Sequence, residues 1–389
     1  MVKHLLTVNP GSSTLKLAVY RATEEGLTRL CRGLIDLQEG ALSLKVWQGG
    51  QATQHAVGSS LSPPVLAKTL SILQQDGGMG TFDAIGHRVV HGGDAFSGPV
   101  LLDEAAISAL TRLTPLAPLH QPRSLSLISM LRDLLPGIPQ TASFDTAFHQ
   151  SQAAWMRRLP LPRALFDAGV KRYGFHGLSY AYIASALRHS DPALAGGRVV
   201  VAHLGSGASL CAMQAGVSRD CSMGFSTLDG IPMATRSGSL DPGVLLHLLK
   251  ERAMTVPEVE EMLYHRSGLR GLSGLSGDIR ELLASTQPAA REAVDHFMLR
   301  IARDIAGQAT LMGGLDGIVF TAGIGEHQAA IRAGIVGHLD WLGAALDDRA
   351  NSSHAREINA PSSRLRLRVI PTDEEQMIAQ EAIALLGAG

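Results

Sequence analysis

Two distant segments of the chain share one pattern, in which an apolar strand enters a glycine- and serine-rich turn and a second strand follows. The first turn is residues 9–13, NPGSS, and the second is residues 203–207, HLGSG. After the first turn, Leu15, Leu17 and Val19 alternate with other residues, which is the period of a half-buried strand. The recurrence favours a duplicated fold with one turn in each half, although the pattern alone leaves duplication and coincidence equally open.

A third glycine-rich segment follows a strand of the buried type. Residues 317–322, GIVFTA, form an uninterrupted apolar run, and residues 323–326, GIGE, are predicted to close it as a turn before a helix. The preceding segment has the period of an amphipathic helix, whose apolar face comprises Val294, Phe297, Met298, Ile301 and Ile305. Strands that alternate with helices predict an α/β architecture.

Length and composition exclude several classes of protein. The 389 residues accommodate two domains of ordinary size. With 34 basic and 35 acidic residues the formal net charge is −1, which gives no electrostatic footprint for nucleic acid or an anionic membrane. The 3 cysteines have neither a CxxC pair nor metal-site spacing, and no apolar run is long enough for a signal or membrane segment. We therefore predict a cytoplasmic protein.

Glycine-rich turns at strand ends can bind phosphate, because backbone N–H groups converge there and glycine permits close approach. The chain has neither the GxxxxGK[ST] P-loop nor the GxGxxG dinucleotide turn. A single Gly/Ser turn is usually a plain hairpin. Three such turns, two of them in similar units, point to phosphate binding.

Residues 9–16, NPGSSTLK, resemble the N-terminal signature of the acetate kinase family, NxGSSSxK. The resemblance continues in family order through residues 86–93 (GHRVVHGG), 117–120 (APLH), 144–149 (FDTAFH), 173–177 (YGFHG), 222–225 (SMGF), 235–238 (TRSG), 320–326 (FTAGIGE) and 371–375 (PTDEE). The chain is thereby identified as a member of this family of short-chain carboxylate kinases.

The resemblance implies an α/β fold of two duplicated domains, shared by acetate and sugar kinases, Hsp70 and actin, with the active site in the cleft between the domains. It places residues 1–149 and about 371–389 in an N-terminal acyl/phosphate domain. Residues 150–370 form the nucleotide-binding domain. The two repeated turns become phosphate loops, and residues 323–326 become the adenosine-side turn. The family is homodimeric, so a homodimer is also implied.

Two arginines match the active-site arginines of the family. A carboxylate that attacks the γ-phosphate of ATP brings two anions together, so the site must supply positive charge and alignment. A planar guanidinium binds carboxylate or phosphate oxygens in pairs. We therefore assign Arg88 to the substrate carboxylate and Arg236 to the transferring phosphoryl group.

His176 matches the phosphoryl-stabilising histidine of the family, and we expect Ser179 to cap the helix after it. Asp145 matches the family's active-site carboxylate, whose assigned role there is proton donor and acceptor. An ionised substrate acid has no proton to lose, so we expect Asp145 to position Arg236 or Mg²⁺-bound water. A structural role is predicted for His87, His91 and His149.

The resemblance also implies the metal and nucleotide ligands. Asn9 and Glu374 match the Mg²⁺ positions, with Mn²⁺ as an alternative metal, and Lys16 matches a contact to the ATP or ADP co-substrate. His120 matches a histidine near the phosphates. The remaining implied nucleotide contacts are His203, Leu204, Gly205, Ser206, Gly207, Asp278, Ile279, Arg280, Gly323, Ile324, Gly325, Glu326 and His327.

The acyl pocket departs from the family pattern. Val90, Leu119 and Phe175 match its apolar walls, and the bulk of Val90 favours acetate over longer acids. Thr227 stands where a proline is expected, and a hydroxyl there would widen the pocket or accept a polar substituent. The family's asparagine is replaced at Gln121, Ser206, His327 and Asp373.

The function predicted from the resemblance is reversible, ATP-dependent, in-line phosphorylation of acetate to acetyl phosphate. Propionate or another small acid, with or without a substituent, is the alternative acceptor within the same chemistry. An Hsp70-like or sensory ATPase without a carboxylate substrate is an alternative of another class. A nucleotide binder that has lost most activity is a third reading, suggested by Ser206 and His327.

Overall fold

The computed structural model describes residues 2–11, 13–37 and 40–387, so Ser12 of the first predicted turn lies outside the described residues. The chain divides into two compact units. Unit 1 contains residues 1–148 and 373–389, and unit 2 contains residues 149–372.

The strands are β1 (His4–Pro10), β2 (Thr14–Thr23), β3 (Gly26–Asp36), β4 (Leu42–Gln48), β5 (Gln51–Gly58), β6 (Ala84–Val89), β7 (Val100–Leu101), β8 (Gln140–Phe144), β9 (Arg198–Leu204), β10 (Ala208–Gln214), β11 (Val217–Cys221), β12 (Gly317–Thr321) and β13 (Arg366–Val369). The α-helices are α1 (Pro63–Asp76), α2 (Glu104–Arg112), α3 (Gln121–Leu134), α4 (Arg163–Asp167), α5 (Gly177–Ser190), α6 (Pro192–Ala195), α7 (Pro242–Lys250), α8 (Val256–His265), α9 (Gly268–Ser273), α10 (Ile279–Ala284), α11 (Pro288–Leu311), α12 (Ala322–His327), α13 (Ala329–Gly337), α14 (Asp348–Ser352) and α15 (Glu374–Leu386). Short 3₁₀ turns lie at Thr114–Leu116, Ala147–Ser151 and Asp340–Leu342.

Unit 1 is built on an eight-stranded sheet with the order β5-β4-β3-β2-β1-β6-β8-β7. Strands β1, β6 and β8 are parallel, and β1 and β2 form the first predicted hairpin. Because successive side chains of β1 point to opposite faces, Leu6 packs with Leu127 of α3 whereas Leu5 packs with Ala379 of α15. A Cβ on Gly86 would lie 2.7 Å from the Ile378 side chain, so glycine in β6 lets α15 pack closely.

Unit 2 is built on a five-stranded sheet with the order β11-β10-β9-β12-β13. Strands β9 and β10 form the second predicted hairpin, and β9, β12 and β13 are parallel. The predicted amphipathic helix is confirmed as α11, which buries Val294, Phe297, Ile301 and Ile305. The α/β prediction and the hairpin in each half are therefore confirmed.

Two local predictions were wrong. Residues 323–326 lie within the short helix α12 and do not form a turn, because Ala322 adopts a left-handed φ of 64° and redirects the chain directly after β12. Ser179 does not cap α5: the N-cap position is His176, without a side-chain cap bond, and the Ser179 hydroxyl contacts His203 Nδ1 and Thr372 Oγ1 instead.

Across the part of the chain that the structure describes, no helix has both the length and the apolar character needed to cross a membrane. Cys31, Cys211 and Cys221 are free thiols and are all buried. Burial raises the pKa of the Cys31 thiol to about 11 and that of Cys221 to about 12.

His87 makes the stability of unit 1 depend on pH. Its ring is buried and lies 2.7 Å from Gln140 Oε1, and burial lowers its pKa to about 4. The unfolded chain, with a histidine pKa of about 6.5, binds the proton more readily, so stability is complete above about pH 6.5 and is lost as the pH falls towards 4.

We expect His87→Gln to reduce this acid loss by up to about 1.4 kcal/mol per pH unit. The measurement is the urea-unfolding midpoint followed from neutral to mildly acidic pH. His189→Gln, at an exposed position on α5, is the matched control and should leave the pH dependence unchanged. An unaltered slope in the His87 variant would contradict the prediction.

Candidate functional site

Unit 1 places Arg88 and Asp145 together at one edge of its sheet. Arg88 lies near the end of β6 and Asp145 directly follows the neighbouring parallel strand β8. Arg88 Nη2 lies 2.6 Å from Asp145 Oδ2, and Nε lies 3.1 Å from each carboxylate oxygen. Burial raises the pKa of Asp145, and the adjacent guanidinium opposes that rise. Within unit 1, the structure pairs Asp145 with Arg88.

Asn9 connects this ion pair to the start of α15. Its Oδ1 accepts a hydrogen bond from Arg88 Nη1 at 3.0 Å, and its Nδ2 donates to Glu374 Oε2 at 2.8 Å and Glu375 Oε1 at 2.6 Å. Glu374 is 3.7 Å from Arg88 Nη1. The cluster therefore contains Arg88, Asn9 and three carboxylates, all fixed at the edge of the sheet.

The donor set of this cluster suits a hard divalent cation. Burial raises the pKa of Glu375, Lys16 counteracts the rise, and the charge of Glu374 adds to it. Two neighbouring carboxylates that share one amide group favour a compensating cation, and amide and carboxylate oxygens are the ligands that Mg²⁺ prefers. Asn9 and Glu374, predicted from sequence, thus fit a magnesium position. Glu375 was not predicted, although it directly follows Glu374 in the same motif.

The other predicted residues of unit 1 differ in exposure. Val90 is buried, whereas Leu119 is 47% exposed and Lys16 is exposed. His120 is the N-cap residue of α3. Gln121, the first residue of that helix, is fully buried and donates from Nε2 to the carbonyls of His91 and Leu110, at 3.2 Å in each case.

In unit 2, His176 occupies a strained position at the start of α5. Its φ of 58° is left-handed, a conformation that a residue with a Cβ adopts only when the surroundings enforce it. Its Nδ1 lies 2.8 Å from Ser209 Oγ, and its ring stacks on that of His203 with centroids 4.3 Å apart. The His203 Nδ1 lies 2.8 Å from Ser179 Oγ. Two of the predicted histidines are therefore held side by side.

The second predicted phosphate loop faces two cationic or donor groups. A Cβ on Gly207 would lie 3.5 Å from His176 Nε2 and 3.6 Å from Arg236 Nη1. Three predicted residues therefore converge where the loop after β9 exposes its backbone. Nitrogen donors around open backbone form an arrangement that binds an anion.

Side chains of the segment that carries Arg236 bind backbone carbonyl groups elsewhere in unit 2. Arg236 Nη1 lies 3.4 Å from the Thr227 carbonyl, which brings the predicted acyl-pocket residue beside the predicted phosphoryl-binding one. The neighbouring Thr235 donates from Oγ1 to the Tyr264 carbonyl at 2.7 Å. Thr227 is half-buried.

One predicted nucleotide segment starts the helix α10, and the other forms most of the short helix α12. Asp278 caps α10 by accepting from Arg280 N at 2.8 Å, and its carboxylate pairs with the Arg280 guanidinium. Residues 323–327 lie in α12, and Glu326 Oε1 accepts from Thr372 N at 3.1 Å. His327 projects to solvent, with its side chain 69% exposed.

Arg332 supports α12 from behind and was not predicted. It is fully buried, and its Nη1 donates to the Gly325 and Glu326 carbonyls at 2.8 and 2.9 Å. Its Nε donates to Asn351 Oδ1 at 2.7 Å, and burial lowers its pKa to about 10. The sequence signal was an arginine within the otherwise apolar helix α13, AAIRAGIVG.

His149 fixes the turn that precedes His176. Its Nε2 lies 2.9 Å from the Phe175 carbonyl oxygen and its Nδ1 lies 2.9 Å from Ser218 Oγ. Burial lowers the His149 pKa to about 4, so the ring is neutral. A structural role was predicted for His149, and its contacts place that role beside the predicted acyl-pocket residue Phe175.

Gly174 provides a test of this turn. Its φ is 81°, and an added Cβ would lie 2.5 Å from the His149 ring. We expect Gly174→Ala to lower the free energy of unfolding by about 3 kcal/mol, because both the backbone and the ring must move. Gly274→Ala is the matched control, since its φ is 65° but no atom lies within 4 Å. Equal thermal stability of the two variants would show that the His149 contact is unimportant.

Comparison with known proteins gives a consistent result over the whole chain. A model of the Acetokinase family matches residues 4–380. An acetate kinase of Methylocella silvestris is 44% identical over an alignment of 399 positions, which covers 99% of this chain and 98% of that protein. A propionate kinase structure from Francisella tularensis has a TM-score of 0.92 at 33% identity, covering 98% of this chain and 100% of that one. A Porphyromonas gingivalis acetate kinase structure has a TM-score of 0.88 at 33% identity, covering 99% and 100%.

Proposed function

The chain belongs to the acetokinase family, and from this premise we propose that it transfers the γ-phosphoryl group of ATP to acetate. An acetate oxygen attacks the γ-phosphorus, the bond to the β,γ-bridging oxygen breaks, and acetyl phosphate and ADP form. The reaction is reversible. The observation that carries this proposal is the convergence of His176 Nε2 and Arg236 Nη1 on the open backbone of Gly207.

Unit 1 is proposed to bind the carboxylate of the acyl substrate through Arg88, and unit 2 is proposed to bind the nucleotide. Arg88 binds Asp145 through Nε and Nη2 and Asn9 through Nη1, and we assign its remaining N–H groups to the acetate carboxylate. Because Asp145 holds Arg88 from a buried position, it orients the guanidinium before substrate arrives, so little reorganisation accompanies the reaction. The ionised acid has no proton to lose, so this positioning role needs no general base.

Arg236 and His176 are proposed to stabilise the transferring phosphoryl group. Phosphoryl transfer spreads negative charge over the equatorial oxygens, so donors fixed around that group lower the barrier. Residues 203–207, with backbone exposed by two glycines, would bind the phosphates from the other side, and His120 and Lys16 would add donors. Asp278, Arg280 and residues 323–327 are assigned to the nucleoside.

Asn9 and Glu374 are proposed to hold Mg²⁺, with Mn²⁺ as an alternative. The ion, when bound, neutralises charge on the nucleotide phosphates. The residues of this chain contribute its position: Asn9 is fixed by Arg88, and Glu374 is fixed by Asn9. The shared hydrogen bonds therefore link the metal ligands to the arginine assigned to acetate.

Propionate is the second candidate acceptor. Phe175 and Val90 are buried apolar residues, which suits a short acyl chain, and Thr227 replaces the proline expected at the pocket. A solved relative of this chain is described as a propionate kinase. A hydroxyl-bearing pocket would also suit a small polar substituent on the acid.

We propose further that the protein is a cytoplasmic homodimer that acts without nucleic acid or membrane. Family membership supports the homodimer. The near-zero net charge of −1 supports the absence of an anionic polymer or lipid partner. Free, buried cysteines suit a reducing compartment.

The first test is acetate-dependent ADP release from Mg-ATP, with hydroxylamine present to trap acyl phosphate as the hydroxamate. Hydroxamate should increase with acetate, and kcat/KM should fall from acetate to propionate and butyrate because Val90 limits the pocket. A preference for lactate or glycine would instead indicate that the Thr227 hydroxyl binds a polar substituent of the acid. ADP release that ignores every acid would contradict the carboxylate kinase and identify an ATPase.

A second test concerns the partner of Arg88. We expect Asp145→Asn to lower kcat/KM for acetate about 100-fold, because a buried guanidinium loses its compensating charge and its orientation. Asp133→Asn, at an exposed position on α3, is the control and should leave kcat/KM unchanged. Full activity of the Asp145 variant would rule out both the positioning role and the proton-transfer role.

A further inference from the structure

Behind His176, two buried hydroxyl groups form a hydrogen-bonded chain that the proposed reaction does not use directly. Tyr180 OH lies 2.5 Å from Ser209 Oγ, and Ser209 Oγ lies 2.8 Å from His176 Nδ1. Tyr180 and Ser209 are both fully buried. This series of hydrogen bonds therefore ends at His176 Nδ1, whereas the other ring nitrogen, Nε2, faces Gly207.

The direction of these hydrogen bonds decides which nitrogen of His176 is protonated. Tyr180 OH and Ser209 Oγ can share their bond in either direction. Burial raises the pKa of Tyr180 well above its usual value, so the phenol keeps its proton. When the phenol donates to Ser209 Oγ, the single serine proton is directed at His176 Nδ1, and neutral His176 then carries its proton on Nε2.

Resting on the function proposed above, we propose that Tyr180 and Ser209 are positioning residues that hold His176 as the Nε2–H tautomer. That hydrogen then points to the space over Gly207, beside Arg236 Nη1, where an anionic phosphoryl oxygen needs a donor. The opposite tautomer would present a lone pair there and repel the oxygen. Stacking on His203 fixes the plane of the ring.

The tautomer is measured directly on the full-length protein without substrate. With ¹⁵N-histidine labelling, long-range ¹H–¹⁵N spectra distinguish Nε2–H from Nδ1–H rings, and the His176 signals are assigned by their loss in His176→Gln. The wild type should show the Nε2–H pattern. In Ser209→Ala the Nδ1–H or doubly protonated form should appear.

The same variants give a kinetic readout. We expect Ser209→Ala to lower kcat about tenfold, with the KM values for acetate and ATP unchanged, because the lost hydrogen bond biases only the tautomer. Tyr180→Phe keeps the ring packed and should give the same changes in smaller size. Ser209→Thr keeps the hydroxyl and should retain the wild-type spectrum and kcat. Ser190→Ala, at the exposed end of α5, is the control.

Two results would overturn the inference: an Nδ1–H pattern in the wild type, or variants whose kcat falls while the His176 spectrum stays unchanged, which is the signature of a packing role. The spectra and the hydroxamate assay distinguish a failure of the inference from a failure of the proposed function. A wild-type protein that shows Nε2–H but forms no hydroxamate contradicts the function alone. A protein that forms hydroxamate with His176 as Nδ1–H contradicts the tautomer alone.

Discussion

The buried ion pair of Arg88 and Asp145 is the constraint on which the candidate site of unit 1 depends. A guanidinium and a carboxylate removed from water are tolerated only when each compensates the other and the remaining hydrogen bonds are satisfied. Asn9 and Glu374 meet that requirement on the far side of Arg88. Because β1, β6 and β8 are parallel, their C-terminal ends meet at one edge, and the charged groups are positioned by the sheet itself.

Unit 2 presents hydrogen-bond donors around an open space in which an anion could bind. Two features produce this arrangement: one residue has a strained backbone, and another has no side chain. His176 is held in a left-handed conformation, and Gly207 lacks the side chain that would occupy the region between His176 and Arg236. The strained residue is supported by hydroxyl groups, a stacked ring and the neutral His149 behind the turn. The free-energy cost of the left-handed backbone at His176 is thus offset by contacts that form without a ligand.

Sequence reasoning predicted the elements whose pattern is local. The hairpins and α11 follow from periods of two and 3.6 residues, which any buried face imposes. The short helix α12 was missed because GIGE reads as a turn, and only the left-handed Ala322 allows a helix to begin there. The same limit explains Ser179, whose hydroxyl has partners 24 and 193 residues away in the chain instead of its own helix.

The candidate site also combines residues that the sequence identifies with contacts that only the fold shows. Motifs selected Arg88, Asp145 and Asn9 as functional residues, but no motif says which of them touch, and the bond from Asp145 to Arg88 appeared only in the fold. Arg332, Tyr180 and Ser209 gave little signal because their roles depend on groups that the chain brings close from elsewhere. Of these three, only Arg332 gave a sequence signal, because it is a charged residue within an otherwise apolar helix.

The return of α15 to unit 1 has a consequence for how the protein is made. Unit 2 is a continuous stretch, residues 149–372, whereas unit 1 is assembled from the segments on either side of it. On the ribosome, unit 2 can therefore complete its fold while the face of β1 and β6 that covers Ala379 and Ile378 still lacks its helix. Glu374 reaches Asn9 only after residues 149–372 have been made. The proposed metal position is thus assembled after unit 2, so a chain that stops before residue 374 is left with an uncovered sheet and an incomplete site.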